Sequence, residues 1–407
     1  MDDLLLGWRN IWRNPGRSIL TILAVAFAAL LLVFMLSFQL GSYEDMINAS
    51  VQLNTGHLQI QAPGFNEKQE MRKTVRDPEA VLHALKAVPG LTGVSPRAQG
   101  FALAASANRT RGALVIGVRP DTEPDVSTLP GQIRKGRYLE KADAGKAVMG
   151  SLLAERLRVG INDEVTLLGQ GKDGSVAATV VQVVGIYKAG IDEFDRNTLQ
   201  ITLRDFDEAF SMNGDAHRIV ISADRLSIAE QARTRLESLP ALSDLKVLGW
   251  AELVPGLRQS IQMDLFSGLI MYLILVIVVA FSIFNTFLMA IFERTHEFGV
   301  LMAIGTRPGR LVWLMLMESM SMTAVGLVLG MILGAGLTFY FSAHGISLAG
   351  AQELLTQYGI SDRLYPRLSW ISLLSGPAII LVITFFTALY PSLRIPKLRP
   401  AEALRAA

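Results

Sequence analysis

The sequence contains no cysteine, which excludes thiol catalysis, disulfide staples and cysteine-based metal sites. Histidine is nearly as scarce. The five residues, at 57, 83, 217, 296 and 344, lack ligand spacing, so surface or packing roles are expected of them. No G-x-x-x-x-G-K-[ST] run occurs, since Gly145-Lys146-Ala147 lacks both the leading glycine and the hydroxyl residue; ATP binding through a P-loop is not expected. Neither G-x-S-x-G nor H-E-x-x-H is present, so no catalytic residue is assigned and the chain reads as non-enzymatic. Charge of one sign is also missing: 38 basic residues face 36 acidic ones, which leaves no nucleic-acid footprint. The lack of disulfides does not argue against export, because a domain of ordinary size buries its own core.

What the chain has instead is apolar length. It is 51% hydrophobic over 407 residues, and four uncharged apolar runs cover residues 19–40, 265–292, 319–341 and 369–390. Each suffices to cross a hydrocarbon core of roughly 30 Å at about 1.5 Å per residue. The first exceeds a signal-peptide h-region and no small-x-small cleavage site follows promptly, so an uncleaved span is expected. Arg9, Arg13 and Arg17 precede it, Arg294, Arg307 and Arg310 join the second and third runs, and Arg394, Lys397, Arg399 and Arg405 follow the fourth. By the positive-inside rule, both termini are expected in the cytoplasm and the long stretch 41–264 outside.

The fold class expected is an α-helical membrane protein with four transmembrane helices and a large extracytoplasmic α/β domain. Residues 1–17 read as an interfacial amphipathic helix, with Leu4, Leu5, Trp8, Ile11 and Trp12 near one face. The spans are placed at 18–41, 263–292, 311–341 and 369–391, the loop between the last two at 342–368, and a cytoplasmic tail at 392–407. Within 42–262, strand signals at 57–61, 114–118, 218–222 and 245–248 accompany helix signals at 77–88, where Asp77 is an N-cap and Pro78 the first helical residue, and at 227–239. The stretches 82–94 and 235–248 look like two copies of one helix-turn-strand element. A split βαβ subdomain built from 42–125 and 213–262 is therefore expected, with a β-rich insertion at 126–212 whose hairpin turns at 169–174. The second span is long for a bilayer, so it tilts or projects outward. Gly326, Gly330 and Gly334 recur every four residues in the third span, a pattern for close helix packing. Asp192, Glu193, Asp195, Asp205 and Asp207 form an acidic cluster in which weak calcium binding is set against alternating residues on a solvated face.

Three segments at the membrane boundaries, 8–27 (WRNIWRNPGRSILTILAVAF), 292–319 (FERTHEFGVLMAIGTRPGRLVWLMLMES) and 388–405 (ALYPSLRIPKLRPAEALR), together resemble the FtsX/MacB-like superfamily of ABC transporter permeases, including its LolC/LolE lipoprotein-releasing branch. The resemblance implies that residues 293–310 form a cytoplasmic coupling helix docking on a separate ATPase. It implicates Glu293, Arg294, Glu297, Gly299, Gly305 and Arg307. The residues themselves agree: Phe298, Val300, Leu301 and Ile304 form an apolar edge suited to a partner groove. Glu318 also matches a family position, and an acidic residue there must pair or face water. The implied assembly holds two ATPase copies carrying ATP and magnesium and a second permease, identical or not, in lipid of the bacterial inner membrane. The implied work is mechanical handling of lipoproteins or similar amphiphiles for an external acceptor; control of a cell-wall hydrolase, in the manner of FtsX, and export of another hydrophobic substrate are the alternatives. No cofactor or metal site is expected on this chain. The hairpin 168–177 is short and lacks the proline or aromatic anchor with which one lipoprotein-releasing permease grips its carrier.

Overall fold

A computed structural model describes residues 15–107, 109–347 and 363–392. The interfacial helix expected at the start, the tail expected at the end and much of the loop 342–368 lie outside these. The described residues form two compact units, one of residues 15–43, 261–346 and 363–392, the other of residues 44–260 with residue 347.

The first unit is helical. Four of its helices are long and apolar enough to cross a membrane: α1 (Pro15–Ser50), α2 (Pro255–Glu293), α4 (Pro308–His344) and α5 (Trp370–Ser392), with the short α3 (Thr295–Ala303) joining α2 to α4. Helices are the solution because a chain in lipid must satisfy its backbone groups internally. Leu20, Phe27, Leu273, Phe281 and Phe386 remain exposed, whereas Val25, Ala29, Leu32, Ile283, Phe287, Met315 and Ile380 pack inside. Helix α2 begins ahead of its apolar run and has 39 residues, about 58 Å at 1.5 Å per residue, nearly twice a hydrocarbon core.

The second unit is a mixed sheet with helices. Its strands are β1 (Leu58–Gln61), β2 (Leu91–Ala105), β3 (Thr110–Val118), β4 (Ile133–Gly136), β5 (Lys146–Gly150), β6 (Glu164–Gln170), β7 (Val176–Tyr187), β8 (Thr198–Thr202), β9 (Arg218–Ala223) and β10 (Lys246–Gly249). They run in the order β10-β1-β9-β2-β3-β8-β5-β7-β4, with β6 bridging β2 and β7. β3 with β8 and β5 with β7 are parallel; the other pairs are antiparallel. The two helix-turn-strand elements lie where the sequence places them. Asp77 caps the helix Pro78–Leu85, accepting from Ala80 N at 3.1 Å. That helix and Leu226–Glu237 pack Val81, Leu85, Ala229 and Leu236 onto Leu58, Ile60, Ile219 and Ile221.

The expected division at residue 125 takes a different form. Strand β2 belongs to both halves: residues 91–97 pair with β9, and 98–105 pair with β3 and, at their end, β6. β3 therefore joins the β-rich half and not the split βαβ half. Gly93 and Pro96 read as turn signals in isolation. Here they are absorbed into one fifteen-residue strand, with a register shift between Leu91 and Gly93.

The sheet face opposite those two helices is polar and buried. Arg97, fully enclosed, donates to Glu123 through Nε at 3.0 Å and Nη2 at 2.6 Å, and to the side chain and carbonyl of Asn54. Burial pushes the Glu123 carboxyl up, against the pull of both Arg97 and Arg218. His217 is also enclosed. Its Nδ1 accepts from Gln99 N at 3.0 Å, its Nε2 bonds Met71 O at 3.2 Å, and its ring stacks on Phe65 at 5.0 Å.

Burial pushes the His217 ring down to about 4, so the folded protein holds it neutral. An unfolded histidine protonates near about 6.5, so between those values the unfolded chain binds more protons. The stability that this ring contributes is thus fully present above about pH 6.5 and is lost as pH drops toward about 4, by about 3 kcal/mol. Urea unfolding followed by tryptophan fluorescence between pH 7.5 and 4 checks this. His217→Asn is expected to flatten the slope across that window, and an unchanged slope would assign it to other groups.

Candidate functional site

The segment between α2 and α4 gathers three of the expected site residues. Arg294, at the N-cap of α3, donates from Nη1 to Glu318 Oε2 on α4 at 2.8 Å and from Nε to Glu297 Oε2 at 3.3 Å. Arg294 and Glu318 are largely buried, while Glu297 is 41% exposed. The pair pins the start of α3 to α4, and its partial burial makes loss of one partner more damaging than for a surface pair.

The C-terminus of α3 closes in a Schellman arrangement. Thr306 N reaches Leu301 O, and Gly305 N reaches Met302 O, both at 3.0 Å, with Gly305 at φ +96°. A side chain at 305 would be strained in that conformation, so glycine sets the direction in which the chain leaves. Arg307 then occupies the N-cap position of α4, whose first residue is Pro308.

The expected apolar edge is divided. Phe298 is 5% exposed and packs inside the bundle, and Gly299 beside it is also buried. Val300, Leu301 and Ile304 face outward, Ile304 most of all at 75% exposed. Phe298 therefore anchors α3 from within and is no part of an outward surface. Periodicity alone did not say which part of that edge turns inward. Glu293, Gly305 and Arg307 are exposed around the outward face.

Gly326, Gly330 and Gly334 of α4 face α1. A Cβ on Gly326 would meet Val25 Cβ at 2.8 Å, one on Gly330 would meet Ala26 O and Ala29 Cβ at 2.5 Å, and one on Gly334 would meet Val33 Cβ at 3.0 Å. Gly336, off that stripe, has nothing within 4 Å.

A second polar cluster of this unit escaped the sequence reading. Tyr43 donates to Asp264 at 2.5 Å, Gln39 Nε2 donates to Tyr43 at 2.7 Å and to Asp264 at 3.2 Å, and Tyr272 donates to Gln39 Oε1 at 2.7 Å. It ties α1 to α2. The signal was present: Gln39 closes one apolar run and Asp264 immediately precedes the next.

The acidic cluster is not an alternating solvated face. Its members sit on two helices, Asp192–Asn197 and Leu203–Phe210. Asp195 is buried, accepts from Ala189 N at 2.8 Å and Gly190 N at 3.3 Å, and is pushed up by that burial. Asp205 accepts from Gly145 N, and Asp207 from Gly214 N. These carboxylates fasten turns. No group of three or more potential metal ligands occurs among the described residues.

Residues 18–239 match the MacB-like periplasmic core domain, and residues 269–400 match the FtsX-like permease C-terminal region. The chain is 24% identical to the lipoprotein-releasing system transmembrane protein LolE of Haemophilus influenzae, over 97% of this chain and 96% of that one. It is 22% identical to LolC of Neisseria meningitidis, covering 97% and 95%. The crystal structure of the periplasmic region of MacB from Actinobacillus actinomycetemcomitans overlaps 53% of this chain and 95% of that one, at 15% identity and a TM-score of 0.37.

Proposed function

Because this chain belongs to the MacB-like periplasmic core domain family, and is an ABC transporter permease of the LolC, LolE, MacB and FtsX type, we propose that it passes the work of a separate ATPase to an extracytoplasmic domain handling lipoproteins or similar amphiphiles. Two ATPase subunits would dock at the outward face of α3 in each of two paired permease chains, and ATP and its magnesium would be held by those subunits. Both termini and α3 would lie in the cytoplasm of a bacterial inner membrane, with residues 44–260 outside.

The observation that carries this reading is the build of α3. It is pinned at one end by Arg294 and Glu318, anchored beneath by Phe298, and closed at the other end by Gly305. Its outward side still offers Val300, Leu301 and Ile304 beside Glu297. A helix held so firmly moves as one piece with α2 and α4, so a push on its outer face is not lost in local bending. The lipoprotein assignment draws on the names of LolE and LolC, whose lengths this chain matches. The hairpin tip at 171–175 is short, which favours a permease that does not itself grip a carrier.

Leu301→Asp with Ile304→Asp tests the docking face without touching the anchor. Co-purification with the ATPase is expected to fall at least about tenfold, since docking would bury two unpaired carboxylates. Membrane insertion and melting temperature are expected to stay unchanged. Full co-purification of that variant would place the ATPase elsewhere.

A further inference from the structure

The polar face of the sheet holds more positive charge than its own residues neutralise. Gln61, Arg218 and Arg97 stand directly opposite one another across β1, β9 and β2, so their side chains share one face, with Gln99 two residues beyond Arg97. Arg97 is fully buried and Arg218 is 7% exposed. Glu123 is the carboxylate buried with them, and Arg97 already engages both of its oxygens. Asp195, the other buried carboxylate among the described residues, is taken by two backbone amides. Two guanidiniums thus share one counter-charge.

Arg218 is the one left short. Its Nε and Nη2 are buried and meet no acceptor among the described residues. These two atoms form one edge of the guanidinium fork, the edge that grips an anion with two parallel bonds. The same desolvation pulls Arg218 down to about 9, with Arg97 adding to the effect. A water at that edge would satisfy the two N–H groups but leave a whole charge uncompensated in the interior, which is the more expensive half of the problem. Two neutral acceptors on this face are also buried without a partner, Gln61 Oε1 opposite Arg218 and Gln99 Oε1. The Gln99 amide is equally consistent with the turned orientation, which presents N–H donors to the same region.

We propose that the interior of the α/β unit holds a small monovalent anion, of chloride size, on the Nε–Nη2 edge of Arg218. Both donor atoms are out of reach of solvent, so the position suits a structural ion and not a transported substrate. The anion balances Arg218 as Glu123 balances Arg97, and so stabilises the layer that fastens Asn54 to the sheet.

The test uses the full-length protein in detergent at constant ionic strength, exchanging sodium gluconate for sodium chloride. The melting temperature is expected to rise saturably with chloride, by about 3 °C, and bromide is expected to act alike. In Arg218→Met the chloride dependence is expected to vanish, while the melting temperature in gluconate equals or exceeds that of the unaltered protein. Equal melting in gluconate and chloride would mean that water alone sits at Arg218, and a chloride shift retained in Arg218→Met would put the ion elsewhere; either result overturns the proposal. Should Arg218→Met fail to fold, crystals of the unaltered protein grown in bromide decide the matter. An anomalous peak at the Nε–Nη2 edge supports the site and its absence rejects it.

Discussion

Gly330→Val is expected to prevent the membrane helices from packing, with a sharp fall in monodisperse protein after detergent extraction. The reason is local. Even a bare Cβ at 330 falls 2.5 Å from both the carbonyl oxygen of Ala26 and the Cβ of Ala29. Neither can swing aside, because one is backbone and the other sits directly on it. Relief requires α1 and α4 to separate along their whole contact, which also opens the neighbouring fits at Gly326 and Gly334. Overpacking of this kind costs about 1–3 kcal/mol, and more where backbone must move. In lipid no hydrophobic force compensates, since separated helices simply meet acyl chains. Gly336→Ala on the same helix is the control. With nothing within 4 Å of its Cβ, it should be neutral or stabilising by up to about 1 kcal/mol. Equal loss in both variants would mean that helix propensity, and not the contact with α1, is being measured.

Arg97→Met is expected to destabilise the α/β unit by about 3–5 kcal/mol, the range for breaking a buried pair from one side. Two consequences combine: Glu123 loses two charge-assisted bonds and keeps only the unbonded pull of Arg218, and Asn54 loses its donor at two oxygens. Chemical unfolding of the purified permease measures this. Glu123→Gln in the same chain is expected to recover a large part of the loss, because a neutral amide left without its bonds in the interior costs less than a carboxylate. No recovery in the double variant would show that the damage lies in freeing Asn54 and not in the orphaned carboxylate.

The membrane-helix plan was legible because it depends on length and charge, and both are read directly from sequence. Four uncharged runs became four long helices, and three glycines at four-residue spacing came to line one contact. The cap at Asp77 and the turn at Gly305 were equally plain, since each needs a particular residue for a backbone reason. The interior polar layer was not legible. Arg97 and Glu123 look like surface charges until register brings β2 beside β9 and the chain at 123–126 over both. Strand β2 was obscured by its own Gly93 and Pro96, whose local preference yields to pairing on either side. Phe298 shows the same limit within the candidate site. Spacing located an apolar helix face, but burial decided which of its members a partner can reach.

Strand β1 lies between β9 and β10 and pairs with both. Its neighbours in the sheet are thus the last two strands of the unit to be made. From residue 61 to residue 218 the ribosome adds about 160 residues, roughly 8–30 s at 5–20 residues per second. Throughout that interval β1, freshly emerged behind the first membrane helix, has no native edge to join. The unit can close only when the chain is about to begin α2. Completion of the sheet and entry of the second membrane helix therefore fall together in time, so a delay in either leaves unpaired strands exposed.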